Sequence, residues 1–130
     1  VRLIQLMDGE GGPADAPAAT YLKMLTPVGL KAIAAYADGI GPNKALIIPQ
    51  LADGALGRPT SLVANAHKAG LQVHPWTFRA ENYFLSKTHR KGADPKAHGD
   101  IEGEIRAYLA TGIDGLFSDN PREARAAIGK

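Results

Sequence analysis

The 130-residue sequence contains no cysteine. That excludes disulfides and thiolate metal sites and is compatible with any redox compartment. Aromatic residues are scarce, with Trp76 the single tryptophan. No apolar run approaches the roughly 20 residues that cross a bilayer, so no membrane span is expected. Neither charge is in large excess: 15 Lys and Arg against 13 Asp and Glu give a net charge of +2. The densest basic run, Lys87 to Lys91, lies in a polar stretch. It reads as solvated surface rather than a phosphate-backbone contact, so no nucleic-acid partner is expected. A signal peptide is also lacking. The chain opens on Val1 and enters an apolar strand at once, so we expect that the start of the protein is missing.

The length and a hydrophobic content of 45% suit one modest globular domain. Its organising stretch is Gly70 to Arg79, which runs from a helix-stopping glycine through a short apolar strand to Trp76, Thr77 and Arg79. Arg2 to Met7 predicts a buried strand. Its polar member, Gln5, either bonds neighbouring backbone or faces a polar cavity. Residues 8–19 lack periodicity and read as a loop, with Asp8, Glu10 and Asp15 solvated and no calcium-loop spacing. Thr26-Pro27 starts a helix with a hydroxyl cap and Pro at the first position. Its apolar face is Leu30, Ile33, Ala34 and Ala37, and Gly39 is expected to stop it.

Gly39-Ile40-Gly41-Pro42 suits a tightly packed strand that another backbone or a ligand approaches closely. Lys44 follows at its C-terminal end. Thr60 or Ser61 caps a helix that ends at Gly70. His67 on that helix reads as a surface or packing residue. Residues 80–99 read as irregular and polar. Asp100 caps the next helix, where Glu102 and Glu104 suit the positive end of the helix dipole. Ile113 to Ser118 predicts a fourth strand, and Asn120-Pro121-Arg122-Glu123 starts the last helix, with Asn120 as cap, Pro at the first position and Glu at the third.

Strands alternating with helices predict an α/β fold with a parallel sheet. Ligands in such folds bind beyond the C-terminal strand ends. Gln5, Lys44, Trp76, Arg79, Ser118 and Asp119 fall on or near that rim.

Three motifs then come in order: Ala37 to Pro42, Val73 to Arg79, and Gly112 to Pro121. The series resembles the C-terminal half of a glycerophosphodiester phosphodiesterase of the longer bacterial type. The resemblance covers essentially the whole chain. It implies half of a (β/α)8 barrel, with residues 1–130 supplying strands five to eight. It also implies metal-assisted hydrolysis of a glycerophosphodiester to glycerol 3-phosphate and an alcohol, and a periplasmic or secreted location. The family's His-Arg-Gly and Pro-Glu-Asn-Thr motifs belong to the other half, so neither catalytic residues nor metal ligands are expected in this chain. A divalent cation, Ca²⁺ or Mg²⁺, would be held there. His89-Arg90-Lys91-Gly92 and Ala80-Glu81-Asn82-Tyr83 are imperfect copies of those motifs, and we read both as chance. Trp76 matches a family Trp or Tyr and would pack on glycerol or the leaving group. Arg79 would pair with phosphate or with Glu81, Lys44 is a weaker phosphate candidate, and Gln5 completes the candidate substrate-binding set. His74 reads as structural, although alternation puts it on the face of Gln72 and Trp76.

On this reading the isolated chain is inactive. Its open sheet edges would pair with the missing half-barrel or with another copy. The alternative is a complete small α/β ligand-binding module without catalytic activity.

Overall fold

The computed structural model describes residues 1–129. Three short strands, β1 (Ile4–Met7), β2 (Gly39–Pro42) and β3 (Gln72–Val73), form a parallel sheet in the order β1-β2-β3. Between and after them come helices α1 (Tyr21–Met24), α2 (Pro27–Ile33), α3 (Leu62–Lys68), α4 (Ile101–Leu109) and α5 (Pro121–Ile128).

The register assigns the two faces of the sheet. Gln5 pairs with Ile40 and Ile40 with Val73, while Ile4 pairs with Gly39 and Gly39 with Gln72. Paired residues of parallel strands share a face, and faces alternate along each strand. Met7, Ile40 and Val73 therefore point one way, into a core with Leu30 and Ile33 of α2 and Leu62, Val63 and Ala66 of α3. Ile4, Leu6, Gly39, Gly41, Gln72 and His74 point the other way. That face is not sealed: Leu6 is 55% exposed. β1 is consequently not the buried strand expected from its composition, because helices cover only one of its two faces.

β2 lies in the middle of the sheet and is buried throughout. Its glycines explain how. A Cβ at Gly39 would lie 2.8 Å from the Gln72 carbonyl oxygen and 2.8 Å from Ile4 Cδ1, and one at Gly41 would lie 2.6 Å from Leu6 Cδ2. The expected close approach is thus that of the flanking strands. Gly39 does not stop α2, which ends at Ile33 with Ala34 as its C-cap; it belongs to the strand.

Two of the expected helix caps form as read. Thr26 Oγ1 accepts the Gly29 N–H at the start of α2, and Asp100 Oδ1 accepts the Gly103 N–H at the start of α4. Gly70, with φ of +80°, follows α3. Asn120 departs from its expected capping role. Its side chain makes no cap bond to α5 and instead accepts the Ala80 N–H at 2.9 Å.

The predicted fourth strand does not form a regular ladder. Residues 113–118 run beside β3 and its continuation, joined by Asp114 N–H to the Val73 carbonyl and Phe117 N–H to the Pro75 carbonyl, both 3.0 Å. Phe78 and Ser118 make a single parallel bridge. Two features interrupt the ladder. Pro75 has no N–H to donate, and the Val73 N–H donates to the Asp114 carboxylate at 2.9 Å rather than to a backbone carbonyl. His67 Nε2 meets the same carboxylate oxygen at 2.8 Å, so His67 packs as expected and ties α3 to residue 114.

Residues 80–99 depart furthest from expectation. They contain two 3-10 turns, Asn82–Phe84 and Lys87–His89, and bury Ala80, Asn82, Leu85 and Ser86. The Asn82 amide organises the segment, donating to the carbonyls of Lys91 and Asp94 and accepting the Lys91 N–H. The segment is polar in composition because it satisfies itself internally, not because it is all solvated.

The packing of β2 and the Asp114 carboxylate can each be tested. Gly39→Ala should lower unfolding free energy in urea by about 2 kcal/mol or more, since backbone must move to admit the methyl group. The Asp114 carboxyl is pushed up by burial, but hydrogen bonds from His67 and the Val73 N–H outweigh that and hold it below its usual value. A depressed carboxyl contributes stability above its unfolded pKa of about 4 and loses it as pH falls through the lower folded value. Asp114→Asn should therefore destabilise the chain at pH 7 by about 1–2 kcal/mol, with the difference shrinking in acid below about pH 4.

Candidate functional site

At the C-terminal ends of β2 and β3 lies a cavity of about 360 Å³, lined by Asn43, Lys44, Trp76, Thr77, Arg79, Phe84 and Asp119. β2 delivers Asn43 and Lys44. The Asn43 side chain accepts the Ala45 N–H and caps the 3-10 turn Lys44–Leu46. Its amide also donates to Asp8 at 3.1 Å. The continuation of β3 delivers Trp76 to Arg79; the Trp76–Thr77 peptide is cis.

Trp76 is half-buried, and its Nε1 donates to the Gly41 carbonyl at 2.6 Å. The Trp76 carbonyl in turn accepts the Lys44 N–H at 2.9 Å. One end of the indole is therefore fixed to β2 while its body lines the cavity. Arg79 lies over the Phe84 ring, 4.0 Å from its centroid. Its Nη2 donates to Glu81 at 3.2 Å. Its Nε lies 3.3 Å from Asp119 Oδ2, close enough for an ion pair, but the N–H is not aimed at that oxygen and has no hydrogen-bond partner. A guanidinium stacked on an aromatic ring at a cavity wall, its side chain 37% exposed, is suited to meet an anion through its outer N–H groups. Hydrogen bonding from its own backbone amide, together with Arg79, holds Glu81 below the usual carboxylate range despite opposing desolvation.

Lys44 is more deeply engaged. Its Nζ donates to Glu104 at 2.7 Å and to the Phe84 carbonyl at 3.2 Å, and it lies 5.2 Å from the Phe78 ring centroid. Glu104 is 1% exposed. Its place in the first turn of α4 suggested a dipole role; its side chain instead reaches the core, a contact that sequence spacing does not reveal.

Gln5 is not at this site. Its register with Ile40 turns it to the helix-covered face, where it accepts from the Tyr36 hydroxyl at 2.9 Å and donates to the Leu6 carbonyl. It lines a different and larger groove, about 650 Å³, with residues such as Pro13, Asp15, Lys23 and Ile33. It thus bonds a neighbouring carbonyl and also faces a groove, but not the cavity that Lys44, Trp76 and Arg79 share. Ser118 donates to the Phe78 carbonyl and so joins the two segments rather than lining the cavity. The two imperfect motif copies are engaged locally. His89 Nδ1 pairs with Ser86 Oγ at 2.9 Å, Glu81 pairs with Arg79, and Asn82 holds its own segment. Sequence reasoning missed Phe84 altogether. Its only signal was an aromatic five residues beyond Arg79.

Among the described residues no group of three or more His, Asp or Glu is gathered to hold a metal ion, so these residues by themselves do not fit the divalent cation implied by the sequence resemblance. No helix among them is long and apolar enough to cross a membrane.

A parallel α/β arrangement with helices on one face and a cavity beyond the C-terminal strand ends is half of a (β/α)8 barrel. A crystal structure from Silicibacter pomeroyi DSS-3, provisionally named as a glycerophosphoryl diester phosphodiesterase, has the same fold over 95% of this chain. It matches with a TM-score of 0.52 and 21% identity, and 29% of that chain is covered. The model of the glycerophosphoryl diester phosphodiesterase family matches residues 3–123, and the chain belongs to that family. It is 41% identical over 101 residues to glycerophosphodiester phosphodiesterase GDPD6 of Arabidopsis thaliana, a match covering 77% of this chain and 25% of that protein. It is also 32% identical over 112 residues to the Arabidopsis protein GDPDL1, covering 84% of this chain and 13% of that one. The chain thus spans a quarter or less of the length of these curated relatives.

The Trp76 N–H gives this site a direct test. Trp76→Phe keeps an aromatic wall but removes the indole donor to the Gly41 carbonyl, and should cost about 1 kcal/mol in chemical denaturation, the net worth of one hydrogen bond.

Proposed function

We propose that residues 1–130 supply the substrate-binding half of a glycerophosphodiester phosphodiesterase site. The observation that carries this reading is the partly exposed Arg79 guanidinium, stacked on Phe84 beside Trp76 in the cavity beyond the strand ends. In that role Arg79 meets the phosphodiester oxygens. The Trp76 face packs on glycerol or the departing alcohol, its orientation fixed by the bond to Gly41. Hydrolysis would break the P–O bond to the alcohol and yield glycerol 3-phosphate. The proton-transferring His pair and the ligands for Ca²⁺ or Mg²⁺ would come from outside these residues. The 130 residues alone are then inactive, and a missing half-barrel or a second copy covers the sheet's open side, where Leu6 and Phe117 are exposed. A periplasmic or secreted setting remains part of the proposal on family resemblance.

The test uses the natural polypeptide that carries these residues, assayed on glycerophosphocholine. It should release glycerol 3-phosphate, and EDTA should abolish the release. Arg79→Gln should raise KM about tenfold, the loss of one charge-assisted hydrogen-bonding group. Metal-independent turnover, or none at all, would overturn the assignment.

A further inference from the structure

Two cations, Lys44 and Arg79, line the same cavity, but their surroundings differ. The Lys44 side chain is 15% exposed and its partner Glu104 only 1%. Glu104 Oε2 takes the Lys44 Nζ at 2.7 Å, and its Oε1 takes the Ser86 N–H at 2.8 Å. Lys44 Nζ also holds the Phe84 carbonyl. The Lys44 carbonyl accepts from Tyr108, whose hydroxyl is shared with the Ile48 carbonyl, 3.2 Å in each case. One buried pair therefore grips residues 84 and 86 from β2 on one side and α4 on the other. Phe84 is the surface on which Arg79 stacks.

We propose that Lys44 and Glu104 form a positioning latch rather than a phosphate contact. The pair fixes residues 84–86 so that Phe84 holds Arg79 at the cavity wall, and Arg79 alone carries the anion; this role rests on the functional reading above. Charge supports the division of labour. A phosphate drawing Lys44 away would leave the Glu104 carboxylate buried and uncompensated, which is strongly unfavourable. Releasing Arg79 from Glu81 and Asp119 leaves carboxylates that water can reach, with side chains 31% and 61% exposed.

The experiment compares Lys44→Met, Glu104→Gln and the double variant in the natural polypeptide. Two readouts are used: amide hydrogen exchange at residues 84–86, and kcat and KM on glycerophosphocholine. Either single change leaves an unpaired buried charge. Each should speed exchange at Ser86 about tenfold or more and lower kcat/KM. The double variant has no orphan charge, and the amide oxygen introduced by Glu104→Gln can still accept the Ser86 N–H, so both quantities should recover by at least half on a logarithmic scale. Unchanged exchange in Lys44→Met with a raised KM, and no recovery in the double variant, would make Lys44 a phosphate ligand and overturn the latch. Faster exchange with unchanged kinetics would reduce the pair to a structural one and overturn its positioning role. Should Lys44→Met fail to fold, folding of the double variant is the supporting result and failure of both is the refuting one. Exchange needs no substrate. An inactive parent protein would therefore remove the diesterase reading while leaving the grip on residues 84–86 measurable.

Discussion

Three strands can lie side by side here only because the middle one has almost no side chains on one face. Gly39 and Gly41 let Ile4, Leu6 and Gln72 lean across β2, and Ile40 between them anchors the opposite face in the core. That packing fixes the register, and a one-residue slip would exchange the two faces. With the register set, Asn43 and Trp76 meet in a parallel bridge at the strand ends. Trp76 Nε1 reaches Gly41, and Lys44 and Arg79 arrive at one cavity. The same register sends Gln5 away from it. Both the site and its exclusions descend from two glycines.

The second dependence is electrostatic. A carboxylate as buried as Glu104 is tolerable only with its lone pairs occupied and a cation close by. Lys44 and the Ser86 amide meet that demand. In doing so they join the turn after β2, the 80–99 segment and α4. A buried phenol closes the network: desolvation first, and then the Glu104 charge, push the Tyr108 hydroxyl well above its usual pKa, so it remains a donor to the Lys44 and Ile48 carbonyls.

Much of the fold was legible because its signals are local. Thr26-Pro27, Asp100 and Gly70 mark helix ends by chemistry within a few residues, and the structure uses them as read. The glycine pattern of residues 39–42 announced close packing, although its intimate neighbours are strands. The readings that failed concern partners far apart in sequence. Alternation could not say which face of β1 the helices would cover, so Leu6 was expected inside. The side chain of Asp114 takes the Val73 N–H across 41 residues, a competition with the ladder that no local rule anticipates. Residues 80–99 look solvated by composition, yet Asn82 and Ser86 turn that polarity inward.

The sequence alone determined the alternation of the first three strands with helices, the caps at Thr26 and Asp100, and the family, whose ordered motifs lie along most of the chain. It also brought Trp76, Arg79 and Lys44 to the strand ends, because element order and strand direction dictate where those ends point. Only the tertiary structure decided what each of them faces. Arg79 lies on Phe84 with an unaligned Nε, Lys44 is held by a carboxylate 60 residues away, and Gln5 bonds Tyr36 at a separate groove. Burial and charge pairing are properties of the packed whole, and residues equivalent in type and position acquire different chemistry from neighbours that the chain brings together only by folding.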